Sequence, residues 1–348
     1  MLLGALSEAD GIAGQEDAVR DLIVEAIQPH IDEMRIDSMG NVLAIKRGTD
    51  GANRPRVMLD AHMDEIGFIV TGYDADGTLH FESVGGVDAR ILPGLRVRVG
   101  GSLPGVILWV PIHKNRDQNV TRMSALRIDI GASSKSDAKA KAPLGTMITF
   151  DTAFGKLGNL LRGKSFDDRA GCAMLVDVLA GGPYPCDVLA AFTVQEEVGL
   201  RGAQVAARAL EPDVAFALEA TTANDVPDPL ADPDDVLTQP NPTSKVGAGP
   251  VVTLMDSRMI VNPRLADFIR ATAYHNGIRP QLKTRSGGGN DAGAIQLQNG
   301  GIPAAVIALP ARYIHSPVSL ISQRDYDAMV KLMGALLHTI MPEAYVLA

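Results

Sequence analysis

The feature that most constrains this sequence is a largely apolar stretch, residues 56–67, that contains a histidine, an aspartate two residues later and a final glycine. An apolar run bounded by Pro55 and Gly67 predicts a buried β-strand. Strand periodicity would place His62 and Asp64 on one face, so that the carboxylate can orient the imidazole. A histidine that binds a metal usually donates its second ring N–H to such a carboxylate or to a carbonyl. An isolated His-x-Asp pair is also typical of ordinary polar groups at a strand end, so partners elsewhere in the chain must decide.

Length and charge limit the classes of protein to which the chain can belong. Its 348 residues exceed one ordinary domain of ~150 residues, so two domains are expected. Acidic residues outnumber basic ones by 41 to 32, and no run of lysine or arginine could follow a phosphate backbone. Nucleic acid is therefore not an expected partner.

The ends of the chain and its cysteines indicate a compartment. No apolar stretch reaches the roughly 18 residues of a membrane span, and the first residues lack the basic segment of a secretory signal. We therefore predict a cytoplasmic protein without a membrane partner. Cys172 and Cys186 do not form a CxxC motif and are expected to be buried, reduced thiols.

Two kinds of sequence pattern divide the chain into domains. At both ends of the chain, apolar strand segments alternate with segments of helical spacing. Between them, glycine and proline are frequent, and a hairpin pattern at 68–83 and an alternating segment at 95–99 predict antiparallel strands. We therefore predict an α/β domain of residues 1–67 and 164–348, with a mixed sheet sandwiched by helices, and an inserted, mainly β domain of residues 68–163.

Individual elements follow from the spacing of apolar residues within these domains. The predicted helices cover residues 15–27, 134–142, 172–180, 292–298 and 324–339. The strands predicted outside the insertion, apart from the first one described, cover residues 31–36, 41–45, 188–194, 214–218 and 304–309.

One event recurs along the α/β pattern: an apolar strand ends and a side chain able to bind metal appears. These side chains are His62, Glu196, Glu197, Glu219 and His315. In open α/β sheets the ligand crevice lies beyond the carboxyl ends of the strands, so we expect them to converge. Asp168, in a turn before a helix, adds a further carboxylate. A mixture of imidazoles and carboxylates suits zinc, cobalt or manganese.

The formal charges favour two metal ions. Two divalent ions carry four positive charges, the carboxylates of Asp168, Glu197 and Glu219 carry three negative ones, and a hydroxide would complete neutrality. A two-metal site also lowers the pKa of a water between the ions and clamps an attacked carbonyl. Glu196 lies next to a ligand without being needed as one, so it is free to act as the general base.

Other interpretations of the same residues remain open from the sequence alone. Adjacent glutamates such as Glu196 and Glu197 usually lie on a solvated helix face, although here they follow an apolar strand. Asp167 and Asp168 would equally suit the N-cap of the next helix. The glycines at 287–289 resemble a phosphate-binding loop, but the GKS or GKT ending and the GxGxxG order are missing.

Seven short motifs are spread over the chain: AHMDEIG (61–67), GGVDARILPG (85–94), IDIGA (128–132), FDDRAG (166–171), QEEVG (195–199), GGGNDAG (287–293) and RYIHS (312–316). Taken together, these motifs resemble those of the tetrahedral (TET) aminopeptidases, which include glutamyl and deblocking aminopeptidases among the dinuclear-metal exopeptidases. The resemblance runs from the first predicted helix to the last. It implies a phosphorylase/hydrolase-like α/β domain, two divalent metal ions per chain, and removal of N-terminal residues from peptides. It also implies a dodecamer built from dimers, with a role for the β-rich insertion in assembly.

The resemblance also implies a role for each candidate site residue. It assigns His62 and Glu219 to one metal ion, Glu197 and His315 to the other, Asp168 to both as a bridge, and Glu196 to the catalytic base. Asp64 would support His62. Three positions depart from the family pattern: Glu219 replaces a frequent aspartate, Asn290 a more usual threonine, and Val87 a more usual tryptophan.

Three other functions compete with an aminopeptidase. Another dinuclear amidohydrolase, such as a deacylase or a carboxypeptidase, would still cleave N-acetylated peptides. An endoglucanase-type enzyme would also use paired carboxylates, but one tryptophan and 4% aromatic residues are few for a groove that stacks sugars. A catalytically inactive assembly or binding protein would lack one of the six metal and base residues, and none is missing.

Overall fold

The computed structural model of the chain describes residues 2–109, 122–226, 244–284 and 288–346. Its strands are β1 (Glu33–Ile36), β2 (Val42–Lys46), β3 (Arg56–His62), β4 (Gly67–Tyr73), β5 (Leu79–Val84), β6 (Arg96–Val99), β7 (Leu103–Ile107), β8 (Ile128–Asp129), β9 (Met147–Phe150), β10 (Gly155–Leu157), β11 (Leu160–Gly163), β12 (Asp187–Thr193), β13 (Val214–Thr222), β14 (Val251–Thr253), β15 (Gln281–Lys283), β16 (Ala304–Arg312) and β17 (Ser319–Ser322). Its α-helices are α1 (Leu2–Glu8), α2 (Asp17–Ile27), α3 (Lys135–Lys141), α4 (Phe166–Gly181), α5 (Arg201–Leu210), α6 (Pro263–His275), α7 (Asp291–Ile295) and α8 (Gln323–Thr339).

The larger of two sheets mixes parallel and antiparallel strands. Within the described residues it has 11 strands, nine of them in the order β1-β2-β12-β3-β13-β16-β17-β11-β10, while β14 pairs with β16 and β15. Its centre, β12-β3-β13-β16, is parallel, and the strands that border this centre are antiparallel to it. The predicted α/β class with a mixed sheet is confirmed.

The crossover connections place helices on both faces of this sheet. Helix α4 leads from β11 to β12, and α5 leads back from β12 to β13 in the opposite direction along the sheet. Because crossovers between parallel strands are right-handed, α4 and α5 lie on opposite faces. Helix α4 packs with α1, α2 and α8, whereas α5 packs with α7.

Burial on both faces explains the composition of the central strands. Every residue of β12 is buried, and in β3 every residue after Arg56 is buried. A parallel strand covered on both faces needs apolar residues at nearly every position rather than at alternate ones. Helix α2 shows the other pattern, with Val19, Ile23 and Ile27 buried at intervals of four residues and contacting α4.

The second sheet is a small antiparallel barrel formed by strands in the described residues 67–109 and 122–150. In the described part of the chain its closed order is β4-β5-β8-β7-β6-β9. Phe68 lies at the centre of its core, edge-to-face with Phe81 at 5.0 Å and Phe150 at 5.6 Å between ring centroids. The alternating pattern predicted for β6 is observed, since Val97 and Val99 are buried while the arginines between and before them are not.

The barrel ends earlier than the predicted insertion. Strands β10 and β11 fall inside the predicted range 68–163, yet they form a hairpin that pairs with β17 in the larger sheet. A hairpin is specified by its local turn, here with Gly158 at φ +59°, and the turn does not indicate which sheet the hairpin joins. Helices α1, α5 and α6 are further differences, because they are not among the predicted elements.

The passage from the larger sheet into the barrel requires a glycine. A Cβ on Gly67 would lie 2.7 Å from the Ile148 carbonyl oxygen and 2.6 Å from Ile12 Cγ2, which is closer than real Cβ contacts. Gly67 begins β4 and Ile148 belongs to β9 of the same barrel, so a side chain at Gly67 would collide with the neighbouring barrel strand and with the segment that follows α1. Among the described helices, none has the length and apolar character needed to cross a bilayer.

Candidate active site and metal centre

The carboxyl ends of the four parallel strands form the edge on which the candidate site is built. His62 is the last residue of β3, and Glu219 occupies the same level on β13, because Ala217 pairs with Asp60 two residues earlier. Glu219 Oε2 lies 4.0 Å from His62 Nε2. Glu196 and Glu197 follow β12, and His315 follows β16, so all five strand-end side chains reach this edge.

Two groups of potential metal ligands meet there. One contains His62, Asp168 and Glu219, and the other contains Asp167, Glu197 and His315. Within each group the ligand atoms lie within 4.8 Å of one another. In the described part of the chain these are the groups with such geometry, and neither includes Glu196.

Asp167, rather than the predicted Asp168, lies between the two histidines. Its Oδ1 is 3.4 Å from His62 Nε2, and its Oδ2 is 3.3 Å from His315 Nε2. Asp168 accepts a hydrogen bond from the Gly171 N–H at 3.0 Å, and its buried Oδ2 has no hydrogen-bond partner within the described residues. Both aspartates have non-helical backbone angles at the start of α4, so their side chains enter different groups. The sequence pattern did not identify Asp167, and the adjacent aspartates were the available signal.

Asp64 contacts both sides of the site. His62 Nδ1 lies 3.1 Å from the Asp64 carbonyl oxygen and 3.5 Å from its carboxylate, in agreement with the predicted support of the imidazole. The same carboxylate accepts hydrogen bonds from the N–H groups of Glu196 at 2.9 Å and Glu197 at 3.1 Å. Asp64 therefore holds the turn after β12, a contact that sequence spacing does not reveal.

The barrel contributes a loop that supports His315. His315 Nδ1 lies 3.2 Å from the carbonyl oxygen of Gly86. The preceding Gly85 has φ +83°, and a Cβ there would lie 2.7 Å from Ile66 and 3.2 Å from Glu197. A side chain at Gly85 would therefore displace Glu197. The loop from the barrel thus helps to position a residue that follows a strand of the larger sheet.

Burial strongly perturbs the acidic groups. It raises the pKa of Glu196, Glu219 and Asp168 well above their ordinary values, and neighbouring carboxylates add to the rise. Burial, followed by the nearby Asp167 carboxylate, raises the pKa of Glu197 to about 7. Such a concentration of buried carboxylates is stable as anions only with compensating positive charge.

The two histidines and Asp167 shift one another's pKa values. The hydrogen bond that His315 donates to the Asp167 carboxylate raises the pKa of His315 to about 9. Burial alone would lower the pKa of His62, but contacts with Asp167, Asp64 and the nearby glutamates raise it well above its ordinary value. Burial likewise opposes ionisation of Asp167, yet the two imidazoles lower its pKa below the usual range.

The donor set fits divalent cations. Imidazole nitrogens and carboxylate oxygens are the ligands that zinc, cobalt and manganese accept together. The unpaired, buried Oδ2 of Asp168 supports the same interpretation, since a buried carboxylate oxygen without a partner is costly in the absence of a cation.

A cavity of about 460 Å³ opens beside these ligands. Its lining includes Asp167, Glu196, Glu219 and His315 of the candidate site together with Thr221, Thr253, Asp256, Lys283, Asn290 and Ile314. Asn290 caps α7 by accepting the Ala292 N–H at 3.1 Å and donates to Asp256 at 3.0 Å. The glycine-rich segment suggested as a phosphate-binding loop begins at residue 287, which lies outside the described residues.

A model of the M42 glutamyl aminopeptidase family matches residues 40–332. The chain belongs to this family. It is 36% identical over 324 residues to a putative aminopeptidase of Acetivibrio thermocellus, with 93% of each chain covered. M42 peptidases are metal-dependent hydrolases, and the chain is accordingly an aminopeptidase by family.

Two solved structures of similar proteins extend this likeness to the fold. The TET aminopeptidase of a marine sediment archaeon (Thaumarchaeota archaeon) has a TM-score of 0.90 and 36% identity, covering 99% of this chain and 97% of its own. The TET1 peptidase of Pyrococcus horikoshii, which can assemble into a tetrahedron or a large octahedral shell, has a TM-score of 0.85 and 33% identity, covering 97% and 99%. The resemblance to the TET aminopeptidases seen in the sequence is therefore confirmed.

Substitution of Asp167 and Asp168, one at a time, tests which of the two carboxylates would contact both metal ions. We expect Asp167→Asn to weaken binding of both ions by more than the ~10–100-fold typical of losing a residue behind a ligand. Asp168→Asn should affect only the ion held near His62 and Glu219. Metal content and affinity can be measured by elemental analysis and by competition with a chelator.

A matched control is Asp187→Asn, which removes a carboxylate at the opposite end of β12, where Asp187 pairs with Arg54 at 2.5 Å. This variant should keep full metal content. If Asp168→Asn loses both ions while Asp167→Asn retains one, Asp168 is the bridge.

Proposed function

We propose that the protein is a dinuclear metal-dependent aminopeptidase that removes N-terminal residues from peptides. The observation that carries this proposal is the Asp167 carboxylate, which faces His62 on one side and His315 on the other. In the proposed site, Glu219 joins His62, Glu197 joins His315, and Asp167 takes the bridging role first assigned to Asp168. Zinc or cobalt, with manganese as a further candidate, would occupy both positions.

The residues of the chain have separable roles in this reaction. Two divalent ions held by these ligands would lower the pKa of a water molecule between them and polarise the scissile carbonyl. Glu196, which lines the cavity without belonging to either ligand group, would take the proton of the attacking water and deliver it to the leaving amine. Asp64 would hold Glu196 for this task through the Glu196 N–H, while its contacts with His62 keep the imidazole oriented.

The cavity lining supports a preference for an acidic N-terminal residue. Lys283, which lines the cavity, donates from its ammonium group to Thr221 Oγ1. Asp256 also lines the cavity, but its carboxylate already accepts from Arg258 N at 2.6 Å, Met259 N at 2.8 Å and Asn290 at 3.0 Å. Lys283 is thus the charged group better suited to contact a substrate side chain, and it would attract a glutamate or aspartate.

The proposed activity can be tested with a panel of amino-acid p-nitroanilides. We expect hydrolysis that requires zinc, cobalt or manganese, that stops reversibly on chelation, and that is fastest for the glutamyl compound. Acetylation of the substrate amine should abolish cleavage, and saturated protein should hold close to two ions per chain.

Each competing function has its own signature in these experiments. Cleavage of N-acetylated peptides would indicate a deacylase or a carboxypeptidase, and hydrolysis of cellulose oligosaccharides would indicate an endoglucanase. No more than one bound ion at saturation would refute the dinuclear site. A faster reaction with the lysyl compound would assign the side-chain pocket to Asp256 instead of Lys283.

Replacement of the adjacent glutamates separates proton transfer from metal binding. Glu196→Gln keeps the shape of the side chain but cannot accept a proton, so turnover should fall by ~10²–10⁴ with metal content unchanged. Glu197→Gln should lower metal affinity first, and excess metal should restore part of the activity. Turnover and metal content of both variants decide the assignment, and the roles are reversed if Glu196→Gln loses an ion while Glu197→Gln remains loaded and inactive.

We further propose that the chain forms a dodecamer built from dimers. Support comes from the TET1 peptidase, which assembles into closed shells, and from the barrel of residues 67–150, a separate unit available for contacts between subunits. Light scattering should give a particle far larger than a dimer of 36.8-kDa chains. A monomer at micromolar concentration would contradict this proposal.

The α/β unit, residues 1–66 and 151–348, would be of the phosphorylase/hydrolase-like type, with residues 67–150 as the inserted unit. A cytoplasmic location is supported by Cys172 and Cys186, which are free, buried thiols.

A further inference from the structure

A fully buried arginine lies directly behind the candidate metal centre. Arg169 follows Asp167 and Asp168 in sequence and is 0% exposed. All five of its guanidinium N–H donors have acceptors nearby. These contacts are Nε to Met63 O at 2.6 Å, Nη1 to Leu6 O at 2.7 Å and Ala9 O at 3.0 Å, and Nη2 to Gly11 O at 3.1 Å and Glu65 Oε1 at 3.4 Å.

The acceptors of Arg169 belong to segments that carry or support the site. Met63 lies between His62 and Asp64, so its carbonyl is part of the loop that presents both side chains. The remaining carbonyls belong to residues 6–11, at the end of α1 and just after it. A single side chain therefore ties the start of α4, with Asp167 and Asp168, to the end of β3 and to the N-terminal segment.

The positive charge of Arg169 is balanced within the same buried cluster. Glu65, which is 2% exposed, accepts from Lys164 Nζ at 2.6 Å and 2.9 Å and from the Gly11 N–H at 3.2 Å. Lys164 also contacts Asp10 at 3.1 Å, and Asp10 in turn accepts from Arg98 of the barrel at 2.7 Å. Removal of one member of such a cluster leaves an uncompensated buried charge, whereas a charge-conserving change does not.

We propose that Arg169 is a positioning residue for the metal centre. Acting through the Met63 carbonyl, it sets the separation between the loop of His62 and Asp64 and the aspartates at the start of α4. This role rests on the proposed function, because it assumes that these side chains bind metal. Lysine cannot replace it, since three donors on one nitrogen cannot reach carbonyls that a planar fork contacts on three sides.

The variant Arg169→Lys removes the planar guanidinium group and its five donors but keeps the positive charge that balances Glu65. We expect cobalt affinity to fall by ~10–100-fold, as for other residues that orient metal ligands. The visible absorption spectrum of bound cobalt should change, and kcat should fall with little change in KM. In the metal-free protein, backbone amides of residues 62–66 should exchange hydrogen faster than in the wild type.

The matched control is Arg54→Lys, at the opposite end of the central sheet, where Arg54 Nε pairs with Asp187 at 2.5 Å. This variant removes a comparable arginine fork and should lower the unfolding temperature without altering cobalt affinity, the cobalt spectrum or exchange at 62–66. Glu65→Asp keeps the negative charge but shortens the side chain by one methylene, which draws the carboxylate away from Arg169. Glu65→Asp should change cobalt affinity, the cobalt spectrum and hydrogen exchange in the same direction as Arg169→Lys. It therefore provides the test if Arg169→Lys does not fold.

The outcomes distinguish this inference from the proposed function. A wild-type chain that binds no cobalt refutes the metal centre, and with it the role of Arg169 toward metal. A wild-type chain that binds two ions, combined with a foldable Arg169→Lys that matches it in cobalt affinity, spectrum and hydrogen exchange, refutes only the positioning role. If Arg169→Lys does not fold, unchanged readouts in Glu65→Asp refute that role equally.

Discussion

The structure depends on holding like charges together in a site from which much of the water is excluded. Carboxylates of Asp167, Asp168, Glu197 and Glu219 approach two imidazoles, and burial raises the pKa of most of these acids. Coulomb repulsion between such groups opposes their convergence, so rigid elements must impose it. Parallel strands supply that rigidity, because their carboxyl ends meet at one edge with a register set by main-chain hydrogen bonds.

Segments outside the central sheet position the ligands that the strands do not carry themselves. The sheet brings His62 and Glu219 to the same level, but Glu197 and His315 lie in loops beyond their strands. Asp64 holds the first of these loops through two N–H groups, and the Gly86 carbonyl from the barrel holds the second. The barrel is therefore part of the site as well as a folding unit of its own.

The sequence predicted those parts of the site that depend on local order along the chain. A polar residue after an apolar run marks a strand end, so His62 and the glutamates after β12 could be placed at one edge of an α/β sheet. The choice between Asp167 and Asp168 depends on backbone angles at the start of α4, which adjacent identical residues do not encode separately. The contacts of Arg169 are also hidden, because its acceptors are carbonyls and a carbonyl at Leu6 or Met63 carries no residue-specific signal.

The residues proposed for the chemistry and those proposed to contact the substrate side chain come from different parts of the fold. His62 and Glu219 come from the strands of the central sheet, where small displacements are resisted by neighbouring strands on both sides, and Glu196 follows another of these strands. Lys283 and Asp256, which also line the cavity, come from β15 and the turn after β14, outside the central parallel strands. Substitutions at those positions can change the charge of the cavity without moving the ligands. A substitution at Lys283 or Asp256 could therefore change the preferred N-terminal residue while the proposed metal ligands stay in place. A substitution at Asp64 or Asp167 would disturb those ligands.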